Sequence, residues 1–192
     1  GGDIKRRYVG GSVTEDNFYL VISAANATSS NELYLVDLTQ PKFEIKTLVD
    51  NMVYDYDIID NRGSKLYVIT NNNAPNKKLM IIDANNPELP NWLEVIPETE
   101  NVLSVSTGGN YIFANYMKDA ISVVKQYDYD GALITEVKLP GIGTASGFGG
   151  KKDEKTLYYS FTNYTTPSSI YAFDVKTGNS AVYQKPKVDF KS

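Results

Sequence analysis

The side chains whose types and spacing could do chemistry here are carboxylates. Tyr54-Asp55-Tyr56-Asp57 and Tyr127-Asp128-Tyr129-Asp130-Gly131 place hard oxygen ligands close together. Calcium would take such ligands, but neither run has the spacing of an EF-type loop or its bidentate glutamate. Alternating Tyr and Asp is what a strand with one wet face produces. No histidine and no cysteine occur among the 192 residues. The chain alone therefore builds no Ser-His-Asp triad, no Cys-His pair and no His-ligated metal centre. The glycine-rich run Gly141-Ile142-Gly143-Thr144-Ala145-Ser146-Gly147-Phe148-Gly149-Gly150 lacks the Lys-Ser/Thr ending and following helix of a phosphate loop. It reads as an innermost strand, where small side chains suit a crowded axis. No catalytic residue, no metal ligand set and no cofactor site is expected.

Four aspartates recur at intervals of 46, 45 and 46 residues: Asp37, Asp83, Asp128 and Asp174. Each closes an apolar strand, such as Leu33-Tyr34-Leu35-Val36-Asp37 or Ile170-Tyr171-Ala172-Phe173-Asp174. One per unit, they should lie apart and serve turns, each carboxylate accepting backbone N–H bonds. A period of 40–50 residues filled with short strands is the pattern of propeller blades. Four strands fit each unit: 8–13, 18–25, 32–38 and 43–49; 53–59, 65–71, 77–83 and 92–97; 102–107, 111–117, 120–127 and 132–139; 143–148, 155–162, 168–175 and 180–184. Turns are expected at 14–17, 61–64, 107–110 and 176–179, with Asp130-Gly131 supplying another. Segment 84–91, with Pro87 and Pro90, reads as an outer-rim loop. The expected fold is all-β: a partial β-propeller of four four-stranded antiparallel blades, about 8–49, 53–97, 102–139 and 143–184, in a domain spanning 1–184. Segment 185–192 reads as a linker stub.

Composition excludes several classes. The net charge is −4 and the pI about 4.9, against the basic stripe that nucleic acid wants. Lys5-Arg6-Arg7 is the longest basic cluster and suits a solvated terminus. No 18-residue apolar run offers a membrane-spanning helix. Asn26-Ala27-Thr28 and Asn163-Tyr164-Thr165 fit the N-glycosylation pattern, which chance explains in an Asn-rich chain. The start Gly1-Gly2-Asp3, without Met, is expected of a piece of a larger protein.

Several stretches resemble prolyl oligopeptidase, serine peptidase family S9. They are Gly10-Gly11-Ser12-Val13-Thr14-Glu15-Asp16 leading into Tyr19-Leu20-Val21-Ile22-Ser23; Tyr67-Val68-Ile69-Thr70-Asn71; Trp92-Leu93-Glu94-Val95-Ile96-Pro97-Glu98; and Tyr158-Tyr159-Ser160-Phe161-Thr162-Asn163-Tyr164-Thr165-Thr166-Pro167. The resemblance implies a seven-bladed parent whose propeller covers an α/β-hydrolase domain and admits short proline-containing peptides, cleaved after proline. This stretch would be its last four blades, with Lys187-Val188-Asp189-Phe190 starting the crossing to the absent hydrolase domain. The family's nucleophile, aspartate and histidine would lie downstream. The resemblance also implies that a loop of the first blade here reaches toward the substrate, with Arg and Cys in animal enzymes. The matching loop, 24–31, has neither. Thr28 and Ser29 are its candidate substrate-facing residues, a solvated hairpin turn being the other reading. The expected function is a non-catalytic, gating propeller fragment, whose two bare blade faces make it self-associate. The alternatives are an independent small propeller acting as an interaction platform, and a glycan-binding or lyase propeller, which would want acids, His or cation ligands at its axis.

Overall fold

Residues 6–165 and 167–187 are described by the computed structural model. Residues 188–190 of the expected crossing at 187–190 lie outside them, as do Lys5 of the basic cluster and Thr166. The chain divides into unit 1, Gly1–Glu100, and unit 2, Asn101–Ser192. Unit 1 holds β1 (Tyr8–Val13), β2 (Tyr19–Ala25), β3 (Glu32–Asp37) and β4 (Ile45–Val49) in one sheet, and β5 (Tyr56–Arg62), β6 (Lys65–Thr70), β7 (Lys78–Asp83) and β8 (Leu93–Ile96) in the next. Unit 2 holds β9 (Val102–Gly108), β10 (Tyr111–Lys118), β11 (Ile121–Tyr127) and β12 (Leu133–Glu136), then β13 (Thr144–Gly147), β14 (Thr156–Thr162), β15 (Ser169–Asp174) and β16 (Ser180–Gln184). Every sheet is an antiparallel meander in chain order, so no sheet mixes strands from two repeats. The expected all-β class of four four-stranded antiparallel sheets is what the chain forms.

Local sequence explains the meanders. Gly109 and Asn110, at φ of 57° and 72°, make the two-residue turn between β9 and β10, and only such left-handed turns match strand twist. Each outer strand joins its sheet through one register shift, at Leu33/Tyr34, Leu79/Met80, Gln126/Tyr127 and Ile170/Tyr171. A bulge at each repeat twists the exposed edge away from further pairing.

Each unit buries a core between its two sheets. In unit 1, Val21, Leu33 and Leu35 of the first sheet meet Tyr56, Leu66, Val68 and Ile82 of the second. Trp92 enters this core from just before β8. It packs edge-to-face on Tyr56 at 5.8 Å, and its indole N–H donates to Pro87 O at 2.9 Å. Within the segment read as a rim loop, Leu89–Asn91 forms a single 3₁₀ turn with Pro at its start. In unit 2 the core is aromatic. Phe113, Phe148, Tyr159 and Tyr171 stack in series at 5.3, 4.4 and 5.3 Å, and Phe173 meets Phe113 and Phe148 edge-on.

Most expected strand bounds shift by one or a few residues, and three of these shifts have a visible cause or extent. The first strand of the second sheet runs over Tyr56–Arg62 rather than 53–59, because Asn61 belongs inside the sheet. Asn61 is fully buried and donates to Asp16 Oδ2 at 2.6 Å, in the neighbouring sheet's first turn, and to Gly63 O at 3.1 Å. A polar residue read as a turn thus links two sheets through its side-chain N–H groups. The strand expected over 143–148 ends at Gly147, because Phe148 takes φ 64°. That expected over 132–139 keeps only Leu133–Glu136. Two glycines of the glycine-rich run lie close against their own sheet. A Cβ on Gly143 would stand 2.3 Å from Thr162 O, and one on Gly147 2.6 Å from Tyr158 O.

Candidate functional site

The recurring aspartates hold turns. Asp37 Oδ1 accepts Thr39 N–H and Oγ1–H at 2.9 and 2.6 Å. Asp83 Oδ1 accepts Asn85 N–H at 3.0 Å. Asp128 Oδ1 accepts the N–H groups of Asp130 and Ala132 at 3.0 and 2.8 Å. Asp174 Oδ1 accepts Lys176 N–H, Thr177 N–H and Thr177 Oγ1–H. Among the described residues no group of three or more acids has a metal-holding arrangement. The bonds from Thr39 hold the Asp37 carboxyl below its usual range, and those from Thr177 do the same for Asp174. Both groups therefore stabilise the folded chain above the ordinary carboxylate value, and that contribution disappears as pH falls through their lowered values. Carbon-detected carboxyl titration by NMR should show both midpoints below 3.8; midpoints at or above it would contradict the turn role.

The opposite end of unit 1 carries the sequence candidates. Residues 26–31 connect β2 to β3, and Asn26, Ala27, Thr28 and Ser29 form an exposed tip. The foot of this loop is fixed. Asn31 N–H donates to Tyr54 O at 3.1 Å, Tyr56 N–H donates to Asn31 Oδ1 at 2.8 Å, and Asn31 Nδ2 donates to Tyr56 O at 3.0 Å. Ser30 N–H donates to Asp55 Oδ1 at 2.5 Å. Asp55 is itself held by Asn71, which donates to Asp55 Oδ2 at 3.0 Å and accepts Asp55 N–H at 2.7 Å. The loop and the Tyr-Asp run at 54–57, singled out separately in the sequence, thus meet. The Asp55 carboxylate is engaged by N–H donors, the chemistry of an anchor rather than of a calcium ligand. Sequence reasoning missed Asn31 and Asn71 as site residues and weighed Asp55 only as a calcium ligand. A signal for Asn31 existed: it stands at the same place in its repeat as a buried serine, Ser122, in the third.

Beside this foot, a wedge of about 320 Å³ opens between β1 and β5, lined by Gly10, Gly11, Ser12, Tyr56 and Asp57. Desolvation raises the Asp57 carboxyl, with Lys77 opposing, and burial raises the Tyr56 phenol, with Tyr54 adding. In unit 2 the corresponding end has a groove of about 380 Å³, lined by Asp119, Ile121, Ile142, Thr144 and Tyr164 among others. Its β10–β11 turn is only Asp119-Ala120, both at positive φ, and projects no tip. Neither place assembles a nucleophile with a base, an arrangement acyl transfer requires.

The profile of the family described as "Prolyl oligopeptidase, N-terminal beta-propeller domain" matches residues 3–186. A prolyl endopeptidase of Elizabethkingia meningoseptica is 53% identical over 99% of this chain and 27% of its own length, and one of Dictyostelium discoideum is 29% identical over 95% of this chain and 26% of its own. Among solved structures, one from a study of two prolyl endopeptidases superposes with a TM-score of 0.89 at 30% identity, covering 96% of this chain and 27% of that one. Prolyl oligopeptidase B of Galerina marginata, bound to a 25mer macrocyclization substrate, gives 0.85 at 26% identity over 95% of this chain and 27% of its own. The chain thus spans about a quarter of the length of the relatives it matches. With a family profile matched over 3–186 and four meandering sheets at propeller-blade spacing, this chain belongs to the prolyl oligopeptidase N-terminal β-propeller family.

Proposed function

We propose that the chain is the non-catalytic propeller part of a prolyl-oligopeptidase-like serine endopeptidase. It gates access of short proline-containing peptides to an α/β-hydrolase site that cleaves after proline. The observation that carries this is the family match over 3–186 in a chain that has no histidine and spans 27% of its bacterial relative. The work is steric: loop ends such as 26–31 face the hydrolase domain, and Thr28 and Ser29 stand where an incoming peptide passes. The unpaired faces of the first and last sheets make the separate chain self-associate.

The longer enzyme tests the gate. Offered a short proline-containing chromogenic peptide and the same sequence inside a folded protein, it should cleave the first and spare the second. Cleavage of both at equal kcat/KM would refute gating.

A further inference from the structure

One latch is used in both units. Asn31, by its N–H to Tyr54 O and its carboxamide to both backbone groups of Tyr56, ties the start of a third strand to the first strand of the next sheet. Ser122 makes the same three bonds in unit 2. Its N–H donates to Gly143 O at 2.9 Å, its Oγ accepts Ala145 N–H at 3.0 Å, and its Oγ–H donates to Ala145 O at 3.2 Å. Each bonds one carbonyl and then both backbone groups two residues later. Each stands six residues before its repeat's aspartate, Asp37 or Asp128. Both are buried, at 9% and 4% exposure.

The two loops differ in what the latch carries. In unit 2 it closes the short turn at 119–120. In unit 1 it carries four exposed residues, 26–29, and is doubled by Asp55 receiving Ser30 N–H. A tip of small exposed residues has no packing of its own, so its position is set by its foot, and each ordered residue costs conformational entropy that the foot must offset.

We propose that Asn31, reinforced by Asp55, is the positioning residue that fixes Thr28 and Ser29 in the peptide's path and thereby sets the preference for short peptides. This rests on the reading that the 26–31 loop faces substrate. Asn31 acts through the loop and touches no reacting atom.

The test uses the longer enzyme with Asn31→Ala, Asn31→Ser, and, as a control, Gln126→Met, which removes a buried inter-sheet bond to Val175 O elsewhere. Asn31→Ala should speed hydrogen exchange at the Ser30 and Tyr56 amides. It should raise KM for a short proline peptide by up to about tenfold, as expected for lost positioning bonds, with kcat within about twofold. The short-over-long preference should fall with it. Asn31→Ser should recover most of the preference, because Ser122 shows that serine makes the same bonds. Gln126→Met should leave the preference unchanged. An opened latch with an unchanged preference overturns the proposal, as does an equal shift in the control. An unsubstituted enzyme with no length preference refutes the gating reading itself, a separate outcome. If Asn31→Ala does not fold, Asp55→Asn takes its place, since it sets an amide donor against the Ser30 or Asn71 donors. A fall in the short-over-long preference then supports the proposal, and an unchanged preference overturns it.

Discussion

Replacing Phe148 by alanine should lower the chain's unfolding free energy by about 3–5 kcal/mol, the cost of emptying an aromatic site in a packed core. Phe148 is 1% exposed and stacks on both Phe113 and Tyr159, with Phe173 against its edge. Removing its ring breaks the series that joins the two sheets of unit 2. A domain's whole stability is about 5–15 kcal/mol, so the loss is a large share of it. The backbone supplies a second, sharper expectation. Phe148 sits at φ 64°, where any side chain beyond hydrogen is strained by about 1 kcal/mol. Phe148→Gly should therefore be more stable than Phe148→Ala, the reverse of the usual order in a strand. Urea unfolding of the three proteins, followed by far-UV circular dichroism, gives both values. A glycine variant less stable than the alanine variant would contradict the left-handed conformation.

The separate chain should run as a dimer or larger, and Ile170→Glu with Tyr183→Glu should shift it toward monomer. In unit 2, Tyr158 and Ile170 share the outer face of the last sheet at 47% and 38% exposure, and Tyr183, 63% exposed, rests against Tyr158 at 4.8 Å. In unit 1, Val9, Val13 and Ile45 stand 59%, 51% and 64% exposed on the first sheet, opposite the face that carries Val21 and Leu33. The inner faces of these same sheets are packed with apolar side chains. Burial of each apolar Å² is worth roughly 25 cal/mol, so faces of this kind favour association. Light scattering on a sizing column reads the mass. A monodisperse monomer at tens of micromolar for the unsubstituted chain would sink this expectation.

The third strands were the most legible part of the sequence. Their continuous apolar runs read as strands without an alternating pattern, and Asp37, Asp83 and Asp174 close them with turns made locally. What stayed hidden depended on partners far along the chain. Asn61 looked like a turn residue because its partner, Asp16, lies 45 positions away in another sheet. Val53 and Tyr54 looked like strand because they are apolar, yet Tyr54 instead supplies a carbonyl to Asn31. Phe148 looked like the end of a strand, and only the aromatic space between two sheets explains its left-handed backbone. At the candidate site, Thr28 and Ser29 were drawn from a family resemblance and lie on an exposed tip. Of the residues that fix that tip, Asn31 has a counterpart in Ser122 when the repeats are laid over one another, whereas Asp55 bonds Ser30 across 25 positions, a pairing no local pattern announces.

In the proposed role this chain contributes structure and access but no bond-breaking chemistry. The most direct measurement is hydrolysis of a proline-containing chromogenic peptide by the purified 192-residue chain, with and without an active-site serine inhibitor. The expected result is no turnover above buffer in either case, because the chain has no histidine base to pair with a nucleophile. Turnover that co-purifies with the chain and survives the inhibitor would contradict it.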